Sequence, residues 1–349
     1  MINLQEREWK SFELGSLFNI YTGGDMILSR LEKGEIPVIS HSINNNGVAT
    51  YTKEIKGKRK FDCNRTISLA DRGNFYAHVQ GVDFYIGTRV KALEFIGEAC
   101  NKEILKFICP LINSQAVKFS YGNNCCDNTD SLIILLPVDW EGNPDYKFME
   151  EYIKQLEVKQ LNEYKKYAEY KLKSIVYKEI PKLDEKVWKS FYFRDIFSEI
   201  KRGKRLTKAN QLSGNRPYIS SSGENNGVDN FISNSEKVRI YEKCISIANS
   251  GTVGKAFYHP YEFVASDHIT KLKNKDLTEY MYLFMLPIIS RLQEKYNFNR
   301  EINDKRINRE VIMLPVDENN KPDWNYMEQY SKNMIIEQIK EYIDYCKIG

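Results

Sequence analysis

The chain is poor in the residues that build metal and nucleophile sites: 349 residues contain four histidines and seven cysteines. The cysteines are Cys63, Cys100, Cys109, Cys125, Cys126, Cys244 and Cys346. No C-x-x-C spacing occurs, which excludes the usual structural zinc site. An odd number at irregular spacing also excludes a secreted disulfide framework, so reduced and mostly buried thiols are expected. Long apolar runs are missing too. The longest, Leu132 to Val138, is too short to span a bilayer. The opening MINLQEREWK holds no apolar stretch of the signal-peptide kind. The expectation is a soluble cytoplasmic protein with no membrane partner. Nor is there a large excess of charge: 51 basic against 47 acidic residues leave +4. That permits nucleic-acid binding without requiring it, because the distribution of charge decides. The 23 tyrosines say more, since Tyr is common at recognition surfaces as well as in cores.

Catalytic signatures are also lacking. There is no G-x-G-x-x-G, G-x-S-x-G or H-E-x-x-H, and no [DNS]-P-P-[YF] of the kind that holds a flipped base in amino-methyltransferases. The stretch from Ser250 to Ala256, SGTVGKA, lacks both the glycine spacing and the Ser/Thr after Lys that a phosphate loop needs. Pro144-Asp145 followed by Glu157-Val158-Lys159 has the letters of a PD-(D/E)xK nuclease. That chemistry needs carboxylates converging on Mg²⁺ from adjacent strands. Here Glu157 and Lys159 lie two positions apart in a stretch of helical periodicity and cannot face one ion together. The second Pro-Asp, Pro322-Asp323, has no ExK after it. Both Pro-Asp pairs read as helix starts. No catalytic residue, metal ligand or cofactor is expected in the chain.

What the chain does have is itself, twice. Trp9-Lys10-Ser11-Phe12 returns as Trp188-Lys189-Ser190-Phe191. PVISHSINNNGV from Pro37 returns as PYISSSGENNGV from Pro217, with 8 of 12 positions identical. LPVDWEGNPDYKFMEEY from Leu136 returns as LPVDENNKPDWNYMEQY from Leu314, with 9 of 17 identical. The offset stays between 178 and 180 residues. This is duplication of a whole domain, far longer than a solenoid repeat, and each half is large enough for its own core. Two copies of one site suit a target that itself has two halves.

Each copy begins with an amphipathic opener, continues through short β-type runs cut by Gly-Asn-Asp-Ser turns, and closes with SLIILLPV or REVIMLPV as a last strand. The runs are IPVIS, ISLA and FYIGTRVKALEF in the first copy, and PYIS, CISIA and FVASDHITKL in the second. After each LPVD the period changes. From Tyr146 to Lys178 apolar residues recur every three or four positions without Gly or Pro, which predicts a helix of roughly 50 Å ended by Pro181. A shorter one follows Asp323. Their apolar stripes seek a partner, and each helix is the other's simplest partner. The fold class is α+β, with two β-rich domains at 1–145 and 181–323 and long helices at 146–180 and 324–349.

The loops carry the features that favour DNA. Lys56, Lys58 and Arg59 form one basic cluster; Lys201, Arg202, Lys204 and Arg205 form another. Lys and Arg neutralise phosphate, while amides and guanidinium groups offer paired donors and acceptors to base edges. The base-edge candidates are Asn44, Asn45, Asn225, Asn226, Asn299 and Arg300, although the Asn-Asn-Gly elements read equally well as turns. Tyr121-Gly122-Asn123-Asn124 combines an aromatic with amides in the same way.

The arrangement resembles a specificity subunit of a Type I restriction–modification system, or of the related Type IIB systems. The residues that carry the resemblance are Trp188-Lys189-x-Phe191 with Ile196-Phe197, Pro217-Tyr218-Ile219-Ser220, Ser250 to Lys255, Ala265-Ser266-Asp267-His268, and Leu314-Pro315 before a helix. It covers nearly the whole chain. It implies two target recognition domains, each reading half of a split duplex DNA target, and helices that pack together as a spacer. It also implies docking of adenine-N6 methyltransferase subunits, which carry S-adenosylmethionine and the chemistry, with a restriction or translocase subunit as a further partner. The subunit itself would be non-catalytic. The first copy departs from the pattern: Asp71-Arg72-Gly73-Asn74 stands for SGTVGK, and Gly87-Thr88-Arg89 for Ser-Asp-His. Two other classes stay open at this point, a standalone Mg-dependent nuclease and a peptide- or carbohydrate-binding protein.

Overall fold

The computed structural model describes residues 3–98, 100–119, 124–125 and 128–348. The chain forms two compact units, Met1–Tyr164 and Lys165–Gly349. The first holds β1 (Trp9–Glu13), α1 (Leu14–Leu17), β2 (Phe18–Thr22), β3 (Lys33–Ile39), β4 (Val48–Thr52), β5 (Thr66–Ala70), β6 (Tyr76–Val79), β7 (Tyr85–Ile86), β8 (Val90–Phe95), α2 (Lys102–Asn113), β9 (Ile133–Pro137) and the start of α3 (Tyr146–Ser174). The opener is a strand. β1 pairs antiparallel with β9, Trp9 opposite Pro137, so the first and last strands of the unit close it. Between them lie a four-stranded sheet, β2-β8-β5-β6, and a three-stranded one, β4-β3-β7.

The second unit repeats this: β10 (Trp188–Tyr192), α4 (Phe193–Ile196), β11 (Glu199–Arg202), β12 (Ser213–Ile219), β13 (Val228–Ile232), β14 (Ile240–Tyr241), β15 (Cys244–Ala248), β16 (Ala256–His259), β17 (Phe263–Ala265), β18 (Ile269–Lys273), α5 (Glu279–Ser290), α6 (Leu292–Lys295), α7 (Asp304–Ile307), β19 (Val311–Pro315) and α8 (Trp324–Ile348). Trp188 faces Pro315 in the same register, and the sheets are β11-β18-β15-β16 and β13-β12-β17-β14. In each unit the larger core lies between the β2- or β11-type sheet and the helix α2 or α5. Trp9 stacks on Phe107 of α2 and Trp188 on Phe284 of α5, both at 6.2 Å between centroids. Burying these aromatics and the surrounding aliphatic chains is the main force holding each unit.

Two runs read as single strands are broken. FYIGTRVKALEF divides into β7 and β8, and FVASDHITKL into β17 and β18. The reason is that each run serves two sheets, β7 beside β3 and β8 beside β5. The crossing turn at Gly87-Thr88-Arg89 is tied by the Gly87 N–H to the Ile39 carbonyl at 2.8 Å, and Arg89 takes φ +64°.

Both Pro-Asp pairs do begin helices. The Asp145 carboxylate accepts the Phe148 N–H at 2.9 Å, and Asp323 accepts that of Tyr326 at 3.0 Å. The first helix stops at Ser174, four residues short of the expected Lys178. Beyond it the chain runs extended along α8, whose side chains take over its backbone partners. Asn333 bonds both the N–H and the carbonyl of Lys178, at 3.2 and 2.6 Å, and Gln329 donates to the Val176 carbonyl at 2.8 Å. Lys171 of α3 pairs with Glu279 at 3.0 Å, and the Tyr280 ring faces both Lys171 and Lys332. Among the described residues no helix is long and apolar enough to cross a membrane.

Candidate nucleic-acid interface

Five loops of the second unit meet on one face. The face is built outward from glycines. Gly203 follows β11, and a Cβ there would lie 2.0 Å from the Ser266 carbonyl oxygen, so only glycine lets this loop cross the β17–β18 turn. Lys204 then donates its N–H to Ala265 at 3.0 Å. Ser266 donates to Ile219, and Ser220 to Gly227, which brings in the turn after β12. The loop after β15 joins through Thr252, whose hydroxyl donates to the Ser221 carbonyl at 2.7 Å, and through a short hydrogen bond between the Ser250 hydroxyl and the His268 ring. The segment before α7 joins through the Ile302 N–H, 3.0 Å from the Asn249 carbonyl.

The first unit repeats the construction with different side chains. A Cβ at Gly23 would meet the Gly87 carbonyl oxygen at 2.0 Å. Ser40 donates its N–H to Gly47 at 2.7 Å, Asn74 its amide to His41 at 3.2 Å, and Gly73 its N–H to the Asn124 side chain at 2.9 Å. Asn124 is the one described member of the Tyr121–Asn124 group; the other three lie outside the described residues.

The structure sorts the sequence candidates. In the Asn-Asn-Gly turns three successive residues adopt the left-handed region: Asn45, Asn46 and Gly47 at φ +50°, +49° and +77°, and Asn225, Asn226 and Gly227 at +48°, +54° and +75°. Asn is among the few non-glycine residues that accept this conformation. The amides are therefore both turn formers and exposed groups on the loop faces. Asn45 and Asn46 are the counterparts of Asn225 and Asn226, whereas Asn44 stands where Glu224 does. Asn299 and Arg300 are exposed, in the segment brought in by Ile302. Lys204 and Arg205 are exposed beside the β17–β18 turn, and Lys201 projects from β11 opposite Lys271. Lys56 and Lys58 are exposed after β4.

Two of the arginines are already engaged. Arg59 makes a two-pronged pair with Glu94 at 2.9 and 2.8 Å and lies 4.0 Å over the Tyr21 ring. Its hydrogen bond with Tyr21, joined by the charge of Glu94, raises its pKa. Arg202 donates to the Ile302 carbonyl at 3.0 Å and pairs with Asp304 at 3.3 Å. Both guanidinium groups hold loops in place and have their charge largely matched. Sequence reading left four loop residues out of the candidates: the exposed Arg72 and Arg89 of the first unit, and the mutually bonded Ser250 and His268 of the second, of which Ser250 is buried. Ser250 and His268 were visible as motif residues; Arg72 and Arg89 were visible only as departures from those motifs.

The nuclease letters do not converge. Asp145 caps a helix, while Glu157 is exposed on α3 and pairs with Lys106 at 2.6 Å. Asp62, Cys63 and Asp83 present ligand-type atoms within 4.8 Å of one another. Their carboxylates are turn acceptors, Asp83 for the Cys63 N–H and Asp62 for that of Asn64, and burial raises the Cys63 pKa.

Comparison with known proteins agrees with a doubled recognition fold. A family model described as the Type I restriction modification DNA specificity domain matches residues 6–166 and again 185–345. The specificity subunit S.BcgI of a Type II restriction enzyme from Heyndrickxia coagulans is 29% identical over 334 residues, covering 94% of each chain. Solved structures with similarity include the S subunit of a Type I restriction–modification system from M. genitalium, at 16% identity and TM-score 0.46 over 99% of this chain and 93% of that one. The HsdS subunit from Thermoanaerobacter tengcongensis matches at 15% identity and TM-score 0.34 over 97% and 90%. With both family matches together spanning most of its length, the chain belongs to the restriction–modification DNA specificity family and carries two of its domains in tandem.

Proposed function

We propose that this chain recognises a bipartite duplex DNA target, one half-site per unit, and directs adenine-N6 methyltransferase subunits to it. The carrying observation is that each unit presents one loop face of the same construction, centred on an exposed Asn-Asn-Gly turn, with side chains that differ between the two. Lys56, Lys58, Lys201, Lys204 and Arg205 neutralise phosphates. Asn44, Asn45, Asn225, Asn226, Asn299 and Arg300 address base edges. Arg59 and Arg202 act mainly by holding their loops. The chain supplies recognition and position, and the partner supplies S-adenosylmethionine and the transfer. A restriction or translocase subunit joins the same assembly, which works in the cytoplasm on chromosomal DNA. α3 and α8 set the distance between half-sites.

The test is a methylation map. The chain is co-expressed with the methyltransferase subunit encoded beside its gene, and methyladenine is located by single-molecule sequencing. A new split motif present only when both proteins are made is the expected result. Repeating the map with one helical turn inserted in the exposed stretch 157–160 should change the spacing between the half-sites. An assembled, active partner that yields no new motif would overturn the reading. Failure of the pure chain and its complex to bind duplex DNA in a salt-dependent way would favour a peptide or carbohydrate ligand instead.

A further inference from the structure

The loop face of the second unit carries one group that phosphate neutralisation and hydrogen-bonded base reading do not use. Phe298 is 79% exposed. A lone exposed aromatic is ordinary on a protein surface, so its setting decides its meaning. Phe298 occupies the apex of a tight turn. Asn297 and Arg300 form an antiparallel bridge, the Arg300 N–H reaches the Asn297 carbonyl at 2.9 Å, and the Asn297 side chain accepts the Asn299 N–H at 3.0 Å. The stem on either side is buried. Tyr296 is 3% exposed and donates a short hydrogen bond to Glu310, which also takes Lys295 at 2.9 Å through each carboxylate oxygen. Ile302 is fully buried, with its N–H on Asn249 and its carbonyl on Arg202. The Arg300 guanidinium lies 5.4 Å from the Tyr296 ring centroid, at the base of the turn.

We infer that Phe298 is a wedge that enters a base step of the half-site read by the second unit, with Arg300 and Asn299 beside it. The inference rests on the DNA-recognition reading above. A wedge needs an apolar tip, a stem that does not yield, and polar groups next to it that hold the backbone or a base edge. The 296–302 segment supplies all three. Trp140, exposed to 90%, makes the contrast: it sits on the Asp139–Asn143 turn leading into α3, where its neighbours are the acidic Asp139 and Glu141 with the Asn143 amide, and its own turn carries no cation. Unstacking costs least at pyrimidine–purine steps, so Phe298 adds a preference for a deformable step that no hydrogen bond would record.

The experiment uses the chain assembled with its methyltransferase subunit and duplexes carrying the motif from the methylation map. 2-Aminopurine is placed in turn along the half-site read by the second unit. Binding by the natural protein should brighten the probe at one step. Phe298→Ala should abolish that brightening and weaken binding about tenfold, the usual worth of an aromatic–base stack, while Phe298→Trp should retain both. Any brightening caused by the partner at its target adenine is common to all three proteins and persists in Phe298→Ala. A natural complex that binds with no Phe298-dependent brightening overturns the wedge, even if Phe298→Ala weakens binding, because contact without unstacking would then suffice. Loss of the methyltransferase subunit from Phe298→Ala on size exclusion would overturn it in favour of a protein contact. No binding to DNA by the natural complex would fail the recognition reading first.

Discussion

Below their loop faces the two units solve the same packing problem with different chemistry. Asp71 follows β5; its counterpart after β15 is Asn249, and each donates its N–H to the crossing turn, to Arg89 and His268. Across the sheet, Lys91 faces Leu69 as Thr270 faces Ile247. The first unit therefore buries a Lys91–Asp71 ion pair at 3.8 Å where the second buries a Thr270-to-Asn249 hydrogen bond at 2.7 Å. A second exchange lies nearby. The buried Ser68 hydroxyl bonds to Gln80 at 2.8 Å, and the equivalent Ser246 bonds to His259 at 2.7 Å. The glycines that let loops cross, Gly23 and Gly203, are unchanged. Close backbone approach tolerates no substitute, whereas a buried polar position needs only some satisfied pair. The frame is thus preserved by sterics while its polar centre varies.

The largest effect should come from splitting the buried pair. Lys91→Met removes the ammonium from beside a buried carboxylate, a change that typically costs about 3–5 kcal/mol. Thr270→Val takes one neutral donor from Asn249 and should cost about 1–3 kcal/mol. Hydrogen exchange of the full chain, read on β5 and β8 in one unit and on β15 and β18 in the other, measures each unit separately. The double change Asp71→Asn with Lys91→Thr, which writes the second unit's solution into the first, should be milder than Lys91→Met alone. Equal loosening of the two units by the single changes would mean that the ion pair is no more critical than the hydrogen bond.

The Ser–His and Ser–Gln exchange should appear as a greater acid sensitivity of the second unit. Burial pushes the His259 pKa down to about 4, below the ~6.5 of an unfolded histidine. Between those values the unfolded chain binds a proton that the folded one refuses, so stability is present above pH 6.5 and is lost as pH falls toward 4. The window corresponds to about 3 kcal/mol. Gln80 contributes nothing of this kind, although burial also lowers the pKa of half-buried His78. His259→Gln should flatten the pH dependence of exchange in β15 and β16 between pH 6.5 and 4.5 while leaving the first unit as it was. An unchanged slope would place the acid sensitivity elsewhere.

How much of this was legible follows from sequence distance. The duplication, the last strands, and Asp145 and Asp323 as helix starts could be read, because each depends on neighbours or on identical letters. The broken strands could not. FYIGTRVKALEF and FVASDHITKL have strand composition throughout, and only the pairing of their two ends with different sheets reveals the turn. The end of the long helix at Ser174 was equally hidden, since Asn333 and Gln329, which hold the extended continuation, lie more than 150 residues away. The loop candidates fared unevenly for the same reason. A cluster such as Ile55 to Lys60 announces charge, but Glu94, which engages one member of it, stands 35 residues further on. The paired exchanges at Asp71 and Asn249, or at Gln80 and His259, share no letters at all and emerge only from the register of the strands.

That uneven outcome gives the finest test, between adjacent residues. Lys58 is exposed, whereas Arg59 is paired with Glu94 and stacked on Tyr21. If the comparison is right, the two cations contribute differently to DNA binding despite being neighbours. Each phosphate contact adds about 0.9 to the slope of log affinity against log salt. Lys58→Ala should lower the slope for the assembled complex by about that amount, and Lys204→Ala should do the same from the second unit, additively, because the two proposed contacts lie on different units. Arg59→Gln should leave the slope nearly unchanged while loosening the strand pair β2 and β8 in exchange measurements, since its charge is matched by Glu94 and its ring contacts are internal. Anisotropy titrations at four or more salt concentrations distinguish these outcomes. A slope reduced as much by Arg59→Gln as by Lys58→Ala would show that Glu94 releases the guanidinium on binding and that Arg59 belongs with the phosphate contacts after all.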